Sequence, residues 1–247
     1  IDAAGRNTAR GFPDAALFEI GPAFTGAKPG AQQLVAAVVR QGHQGPRHWS
    51  GTSANRDNDL YDAKADALAV IDSCGMPTAR LQVSADAPAW YHPKRSGSLR
   101  AGANVLAWFG EIHPALLDEM GVKGPVAAVE VFLDNIPVSR KSSATAKPLL
   151  KLSPFQPVAR DFAFIVPRAL PAEDIVRAAQ NADKNLVDRV DLFDIYEGKG
   201  VDDGMKSVAI NVVFQPQEQT MTDAEIENLC KKVVDGVTEK TGGRLRA

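Results

Sequence analysis

The chain is 247 residues long, with 45% hydrophobic and 23% charged residues and a formal net charge of −2. That length suits one or two domains, and that composition suits packed globular cores rather than general disorder. No apolar run approaches the roughly 20 residues that cross a bilayer and no basic-then-apolar leader opens the chain, so a cytoplasmic protein with no membrane partner is expected.

The charge is unevenly placed. Ser153 to Ala247 carries 12 Lys and Arg against 16 Asp and Glu, a balance of −4, while Ile1 to Leu152 carries 16 against 14 and stands at +2. Neither part has the broadly basic character that marks many nucleic-acid binders.

The first element is a helix over Ile1 to Arg10. It opens without Met, so the chain is expected to begin inside a larger protein. Leu17 to Phe24 and Gln33 to Gln41 read as strands separated by a turn. Asp59 to Cys74 reads as a helix with Leu60, Ala63, Ala67, Ile71 and Cys74 inward and Gly75 beyond its end. Val105 to Gly110 and Val126 to Leu133 are further strands, with a short helix from Pro114 to Met120 between them. Strands joined by turns and carrying helices predict a mainly antiparallel α+β domain.

A polar run from Ser139 to Lys147, followed by Pro148, Pro154 and Pro157, marks a joint. It divides the chain into residues 1–147 and 148–247. Beyond it, Ala159 to Val166 is a strand bounded by Pro157 and Pro167. Pro171 suits a first helical turn, after which Ile175, Ala178, Ala179 and Ala182 share a face. Arg189 to Glu197 and Lys206 to Phe214 are strands around a Gly-rich turn from Gly198 to Gly204. Val208, Ile210, Val212 and Phe214 make one face of the second of these firmly apolar.

Thr222-Asp-Ala-Glu225 is a capping box, and Ile226, Leu229, Cys230, Val233, Val234 and Val237 follow at helical spacing. Gly242-Gly243 stops that helix and Arg244-Leu-Arg246 supplies a short last strand. Strand, helix, strand, strand, helix, strand is the ferredoxin-like βαββαβ order.

Several phrases carry a family resemblance. Leu17-Phe-Glu-Ile-Gly21, Asp59-Leu-Tyr-Asp-Ala-Lys64, Tyr91-His-Pro-Lys-Arg-Ser96 and Phe109-Gly-Glu-Ile-His-Pro114 resemble the catalytic-like module of the bacterial-type phenylalanyl-tRNA synthetase β subunit. Pro157-Val-Ala-Arg-Asp-Phe-Ala-Phe-Ile-Val166, Leu192-Phe-Asp-Ile-Tyr-Glu-Gly198, Gly204-Met-Lys-Ser207, Thr220-Met-Thr-Asp223 and Gly243-Arg-Leu-Arg246 resemble its ferredoxin-fold anticodon-binding domain, in the right order. The resemblance is to the C-terminal part of that subunit. It implies a non-catalytic domain like a class II synthetase followed by a ferredoxin-like domain. It further implies the synthetase α subunit, tRNA(Phe) and the rest of the β chain as partners. The resemblance also implies no cofactor in this piece, with ATP and magnesium expected for the holoenzyme, a phenylalanine–tRNA ligase. Ala159 and Gln219 stand where the family usually has Arg, and Lys94 where it usually has Gly.

The chemistry readable from residues agrees with an inactive sheet. Adenylate-forming synthetases of the second class use an Arg-x-Glu strand and a Gly-rich segment ending in Arg to place positive charge on ATP. No Arg-x-Glu occurs, and the one such Gly-rich segment, Gly242-Gly-Arg244, is terminal. The chain is therefore expected to be inactive alone. His43, His48, His92 and His113 form no metal-ligand spacing and read as structural. Cys74 and Cys230 read as reduced, buried thiols.

The tRNA-contact candidates are Arg160, Arg189, Lys199, Lys206, Arg244 and Arg246. Strands one, three and four are expected to bring Arg160, Lys206 and Arg244 together. The competing expectation pairs these cations with Asp161, Asp188, Asp191 and Asp202. Phe162, Phe164, Phe193 and Tyr196 are stacking candidates, with the first two favoured as core. An alternative function is a regulatory module in which the ferredoxin-like domain senses a small molecule.

Overall fold

A computed structural model describes residues 1–45, 49, 56–137, 149 and 152–246. His48, the polar run at 139–147 and Pro148 lie outside them. The chain divides into two compact units, Ile1–Lys147 and Pro148–Ala247.

Unit 1 contains α1 (Asp2–Ala9), β1 (Ala15–Phe24), β2 (Gln32–Gln41), α2 (Leu60–Ser73), β3 (Gln82–Ser84), β4 (Tyr91–Ala101), β5 (Asn104–Ile112), α3 (Pro114–Glu119) and β6 (Val126–Phe132). The strands form one sheet in the order β1-β2-β6-β5-β4-β3, every pair antiparallel. Because side chains alternate, Val129 and Val131 of β6 lie beside Phe109 and Ala107 of β5. Together they bury Ala63, Ala67 and Ile71 of α2. A second cluster on unit 1 gathers Tyr91, Ile112, Leu117, Val122, Val126 and Ala128.

Local chemistry sets α2. Asp59 caps it by accepting from the backbone of Tyr61 and Asp62, while the Asp62 carboxylate accepts from Asp59 N at 2.9 Å. Cys74 is the C-cap residue and is exposed, so its expected burial is corrected. It lies past the last helical residue, where the inward stripe no longer applies. Cys230 is half-buried, and both thiols are free.

β4 had no counterpart in the sequence reading. Pro93, Lys94 and Arg95 interrupt its alternation, and its register with β5 slips between Tyr91 and Ser96. It is nonetheless an interior strand, with Ser98 and Leu99 fully buried. Ser98 donates to Asp86 at 2.8 Å, so its burial leaves no polar group unpaired.

Unit 2 contains β7 (Val158–Pro167), α4 (Ala172–Gln180), β8 (Val187–Tyr196), β9 (Met205–Phe214), α5 (Asp223–Thr241) and β10 (Arg244–Leu245). The sheet order is β10-β7-β9-β8, all antiparallel, as the ferredoxin-like reading requires. Phe162, Phe164, Val208, Ile210, Val212 and Phe214 pack against Ile175 of α4 and Leu229, Val233 and Val237 of α5. The capping box forms as read: Glu225 N donates to Thr222 Oγ1 and Thr222 N to the Glu225 carboxylate. Gly242, at φ 69°, takes the left-handed conformation that ends α5. No described helix is long and apolar enough to cross a membrane.

Candidate nucleic-acid interface

The helices cover one face of the unit 2 sheet, and register defines the other. Ala159, Asp161, Ala163 and Ile165 of β7 lie beside Val213, Asn211, Ala209 and Ser207 of β9. These are the alternate positions to the buried Phe162, Phe164, Val208, Ile210 and Val212, so they face away from the helices. Their side chains are mostly small, leaving a flat floor. Asn211 crosses it to donate to Asp161 at 2.6 Å.

β8 brings charge and an aromatic ring to this floor. Arg189 and Asp191 pair with Val213 and Asn211, and after a bulge Asp194 and Tyr196 pair with Ala209 and Ser207. The bulge falls at Phe193 and reverses the parity of the strand. Arg189 and Tyr196, seven residues apart, therefore share a face that strict alternation would not give them. Phe193 itself is 58% exposed.

One end of this face is chemically distinct. β10 sets Arg244 opposite Ile165, and Arg246 N donates to Ala163 O at 2.7 Å. The Arg246 guanidinium lies 5.5 Å from the centre of the Tyr196 ring, within cation–π range. The Tyr196 hydroxyl donates to Lys199 O at 3.3 Å, tying the ring to the Gly-rich loop. Arg244 pairs with Asp202 of that loop at 2.9 Å. Ile165 and Ser207 are buried here although α4 and α5 pack on the other side of the sheet. Ile165 pairs with Arg244 of β10 and Ser207 with Tyr196.

The structure therefore separates the six cations. Arg246 lies over Tyr196, the backbone carbonyl of Lys199 accepts from its hydroxyl, and Arg244 is held by Asp202 of the same loop. Lys206 is at the same end, but its register with Val166 places it on the helix-side parity. Arg189 is toward the opposite end and pairs with Asp191 at 2.7 Å. Arg160 pairs in register with Val212 on the helix side, beside Cys230, Ile226 and Glu227 of α5. Burial pushes the Cys230 thiol up from its ordinary value, with the Arg160 charge opposing.

The expected trio of Arg160, Lys206 and Arg244 does not assemble. β7 and β9 run antiparallel, so Arg160 and the partner of Lys206 are six residues apart along β7, about 20 Å. Phe162 and Phe164 are core, stacked at 6.3 Å between ring centres. The sequence reading missed Arg168, which pairs with Glu197 at 3.0 Å and whose backbone N–H reaches Gly204 O. Its position in a loop, outside any periodic pattern, gave no signal.

In unit 1, Arg40, Arg56, Arg95 and Arg100 each pair with a carboxylate, namely Asp66, Asp62, Glu111 and Asp86. Trp90 Nε1 and the Tyr91 hydroxyl both donate to Glu130, at 2.9 and 3.1 Å. Burial, reinforced by Glu130, raises the Tyr91 hydroxyl above its ordinary value. The three described histidines make local hydrogen bonds. His113 caps α3 by accepting from Ala115 N, His92 accepts from Lys94 N, and His43 meets Asp57 at 2.7 Å. Among the described residues no group of His, Cys, Asp and Glu is arranged to hold a metal ion.

Unit 1 also exposes a strip of large apolar side chains. Phe18, Ile20 and Phe24 of the edge strand β1 are 78%, 59% and 79% exposed, and Phe12 and Leu34 are exposed nearby. Phe18 and Ile20 pair with Val38 and Ala36 of β2, the parity that faces α2. The core helix reaches β5 and β6 and leaves β1 bare.

Comparison with known proteins covers both units. Residues 1–133 match the family model described as phenylalanyl tRNA synthetase beta chain CLM domain, and residues 153–246 match the ferredoxin-fold anticodon binding domain. Curated relatives from Rhodospirillum rubrum and Bradyrhizobium diazoefficiens, both named phenylalanine–tRNA ligase beta subunit, are 53% identical over 247 and 252 residues. One of the same name from Paramagnetospirillum magneticum is 49% identical over 246 residues. In each case the whole of this chain is covered, and it spans 31% of the relative's length.

Proposed function

We propose that this chain, which belongs to the phenylalanyl tRNA synthetase beta chain CLM domain family, serves a phenylalanine–tRNA ligase by scaffolding and RNA contact rather than by catalysis. Unit 2 touches the anticodon stem-loop of tRNA(Phe), and unit 1 docks the α subunit and the rest of the β chain. ATP and magnesium act in the α subunit of the assembled enzyme. The observation that carries the reading is the end of the open sheet face, where the Arg246 guanidinium lies over the Tyr196 ring and Arg244 is tied to Asp202 of the adjoining loop, in the unit that matches an anticodon-binding family. A ring beside cations suits an unstacked base with its phosphate, because stacking is tolerant of sequence and the cations neutralise the backbone.

Unit 1 supports the docking half through the exposed strip of Phe18, Ile20 and Phe24. Aromatic side chains left bare on an edge strand mark a protein interface. The neutralised arginines of unit 1 and the absence of an Arg-x-Glu phrase support an inert sheet. The isolated chain should give no phenylalanine-dependent pyrophosphate exchange above background.

RNA contact is tested by fluorescence anisotropy of a labelled tRNA(Phe) anticodon stem-loop at low salt. The −4 balance from Ser153 to Ala247 leads us to expect weak binding with a shallow salt slope. Tyr196→Ala and Arg246→Ala should each weaken it without unfolding the chain. Binding indifferent to both changes would refute this site.

A further inference from the structure

We propose that Asp202 is an internal stand-in for an RNA phosphate, holding Arg244 in the free chain and giving it up when single-stranded RNA docks on the open face. The idea rests on the RNA-binding reading of unit 2 and adds a residue that tunes it.

Arg244 is fixed at its backbone by pairing with Ile165, so only its side chain can travel. Its guanidinium meets the Asp202 carboxylate at 2.9 Å, with the two side chains 66% and 76% exposed. A pair this wet is weak, and another anion can replace the carboxylate with little penalty. Asp202 is held in position by its own turn, since Met205 N donates to Asp202 O at 3.0 Å and Val201 N to Gly198 O at 3.0 Å. Gly200 and Gly204, at φ 90° and 77°, let the loop fold back toward β10 in a conformation side chains rarely adopt. A Cβ at Gly200 would lie 3.9 Å from the Arg246 guanidinium, so the loop reaches both arginines.

Arg246 is occupied in a parallel way by the Tyr196 ring. Each terminal arginine thus has an internal partner of the kind RNA would offer, a carboxylate for a phosphate and an aromatic face for a base. Asp203, the next residue, is exposed and has no cation partner among the described residues. Removing Asp202 should therefore free one phosphate contact, while removing Asp203 changes only the bulk charge. The consequence is selectivity. A polyanion that supplies a phosphate but no base gains little after displacing Asp202, whereas single-stranded RNA gains at both arginines.

The test compares Asp202→Ala with the charge-matched Asp203→Ala in the 247-residue chain, using the labelled stem-loop and repeating Asp202→Ala in an Arg244→Ala background. Exposed pairs of this type predict about a two- to fivefold gain in RNA affinity for Asp202→Ala. Asp203→Ala should gain less than half as much, and the gain should vanish without Arg244. Equal gains from the two aspartates, a gain that survives Arg244→Ala, or no gain at all would each overturn the proposal. If wild type binds no stem-loop, or binds it as well after Tyr196→Ala, the RNA reading itself fails and this inference with it. If Tyr196→Ala weakens binding while Asp202 and Asp203 behave alike, only the stand-in role is lost.

Discussion

The sheet of unit 1 leaves Phe18, Ile20 and Phe24 bare along its edge strand, whereas the open face of the unit 2 sheet leaves Ala159, Ala163 and Ala209 with a tyrosine under Arg246. Both sheets are antiparallel and both carry helices, so secondary structure does not account for the contrast. Coverage does. In unit 1 the helix-facing parity runs past α2 onto β1, and the surplus is apolar. In unit 2 the helices cover the apolar parity of β7 and β9, leaving Leu192 and Ile195 of the edge strand β8 half-exposed on that side, and the opposite face of β7 and β9 is mostly small or polar. Uncovered apolar surface suits another protein, and a flat floor edged by charge suits a flat, charged ligand.

The contrast breaks first if the two parities of unit 2 are wrongly assigned. Leu229 is 4% exposed beneath that sheet, and Leu229→Ala should lower stability by about 2–5 kcal/mol. Chemical denaturation measures it, and a loss below about 1 kcal/mol would place the core elsewhere.

A somewhat smaller effect is expected at the strip of unit 1. Replacing Phe18 and Phe24 together by Ser should leave the melting temperature of the free chain nearly unchanged, because both rings are already in water. The same pair should weaken assembly with the α subunit by about 2–4 kcal/mol, the scale of aromatic interface anchors. Co-purification followed by titration measures this, and unaltered assembly would leave the strip without a partner.

On the floor of unit 2, Tyr196→Ala should weaken stem-loop binding by about 1–3 kcal/mol, the range for one stacked base. Asp161→Ala makes the sharper partner experiment. Asp161 lies on the same floor, two open-face positions from Ile165, and its loss should leave binding equal or tighter. Weakening by both changes alike would move the contact toward the middle of the sheet.

The smallest effect concerns a polar group that serves the fold of unit 1. Hydrogen bonds from Ser84 and Ser98 and the Arg100 charge hold the Asp86 carboxyl at about 2, below its ordinary 3.8. A depressed folded value means the stabilisation is present above the unfolded value and is lost as pH falls from 3.8 toward 2. Asp86→Asn should therefore be less stable than wild type at neutral pH, with the gap closing across that acid window. Urea denaturation at several pH values checks this, and a gap independent of pH would assign the loss to shape rather than charge.

α2 and α5 were legible because their information is local. Asp59 and Thr222 cap them, apolar residues recur at helical spacing, and Gly242 stops the second. β4 was illegible because it earns its interior place only by pairing with β3 and β5, while its own residues read as polar and irregular. The candidate site divides in the same way. Arg244, Arg246, Lys199 and Tyr196 were named from their phrases. Their company was not, because Tyr196 reaches the open face only through the bulge at Phe193. Arg160 was grouped wrongly because antiparallel pairing carries the start of β7 to the end of β9.

The amino-acid sequence by itself determined the order of elements, the apolar stripe of each helix, the ferredoxin-like class of the second unit and the family resemblance. These depend on residues near one another in the chain, where caps, turns and periodicity act. Tertiary structure alone decided which parity of each strand stayed uncovered, which cations share an end of the sheet and which carboxylate holds each arginine. Those follow from register, from a one-residue bulge and from how far a helix reaches across its sheet, and each joins residues that the chain keeps far apart.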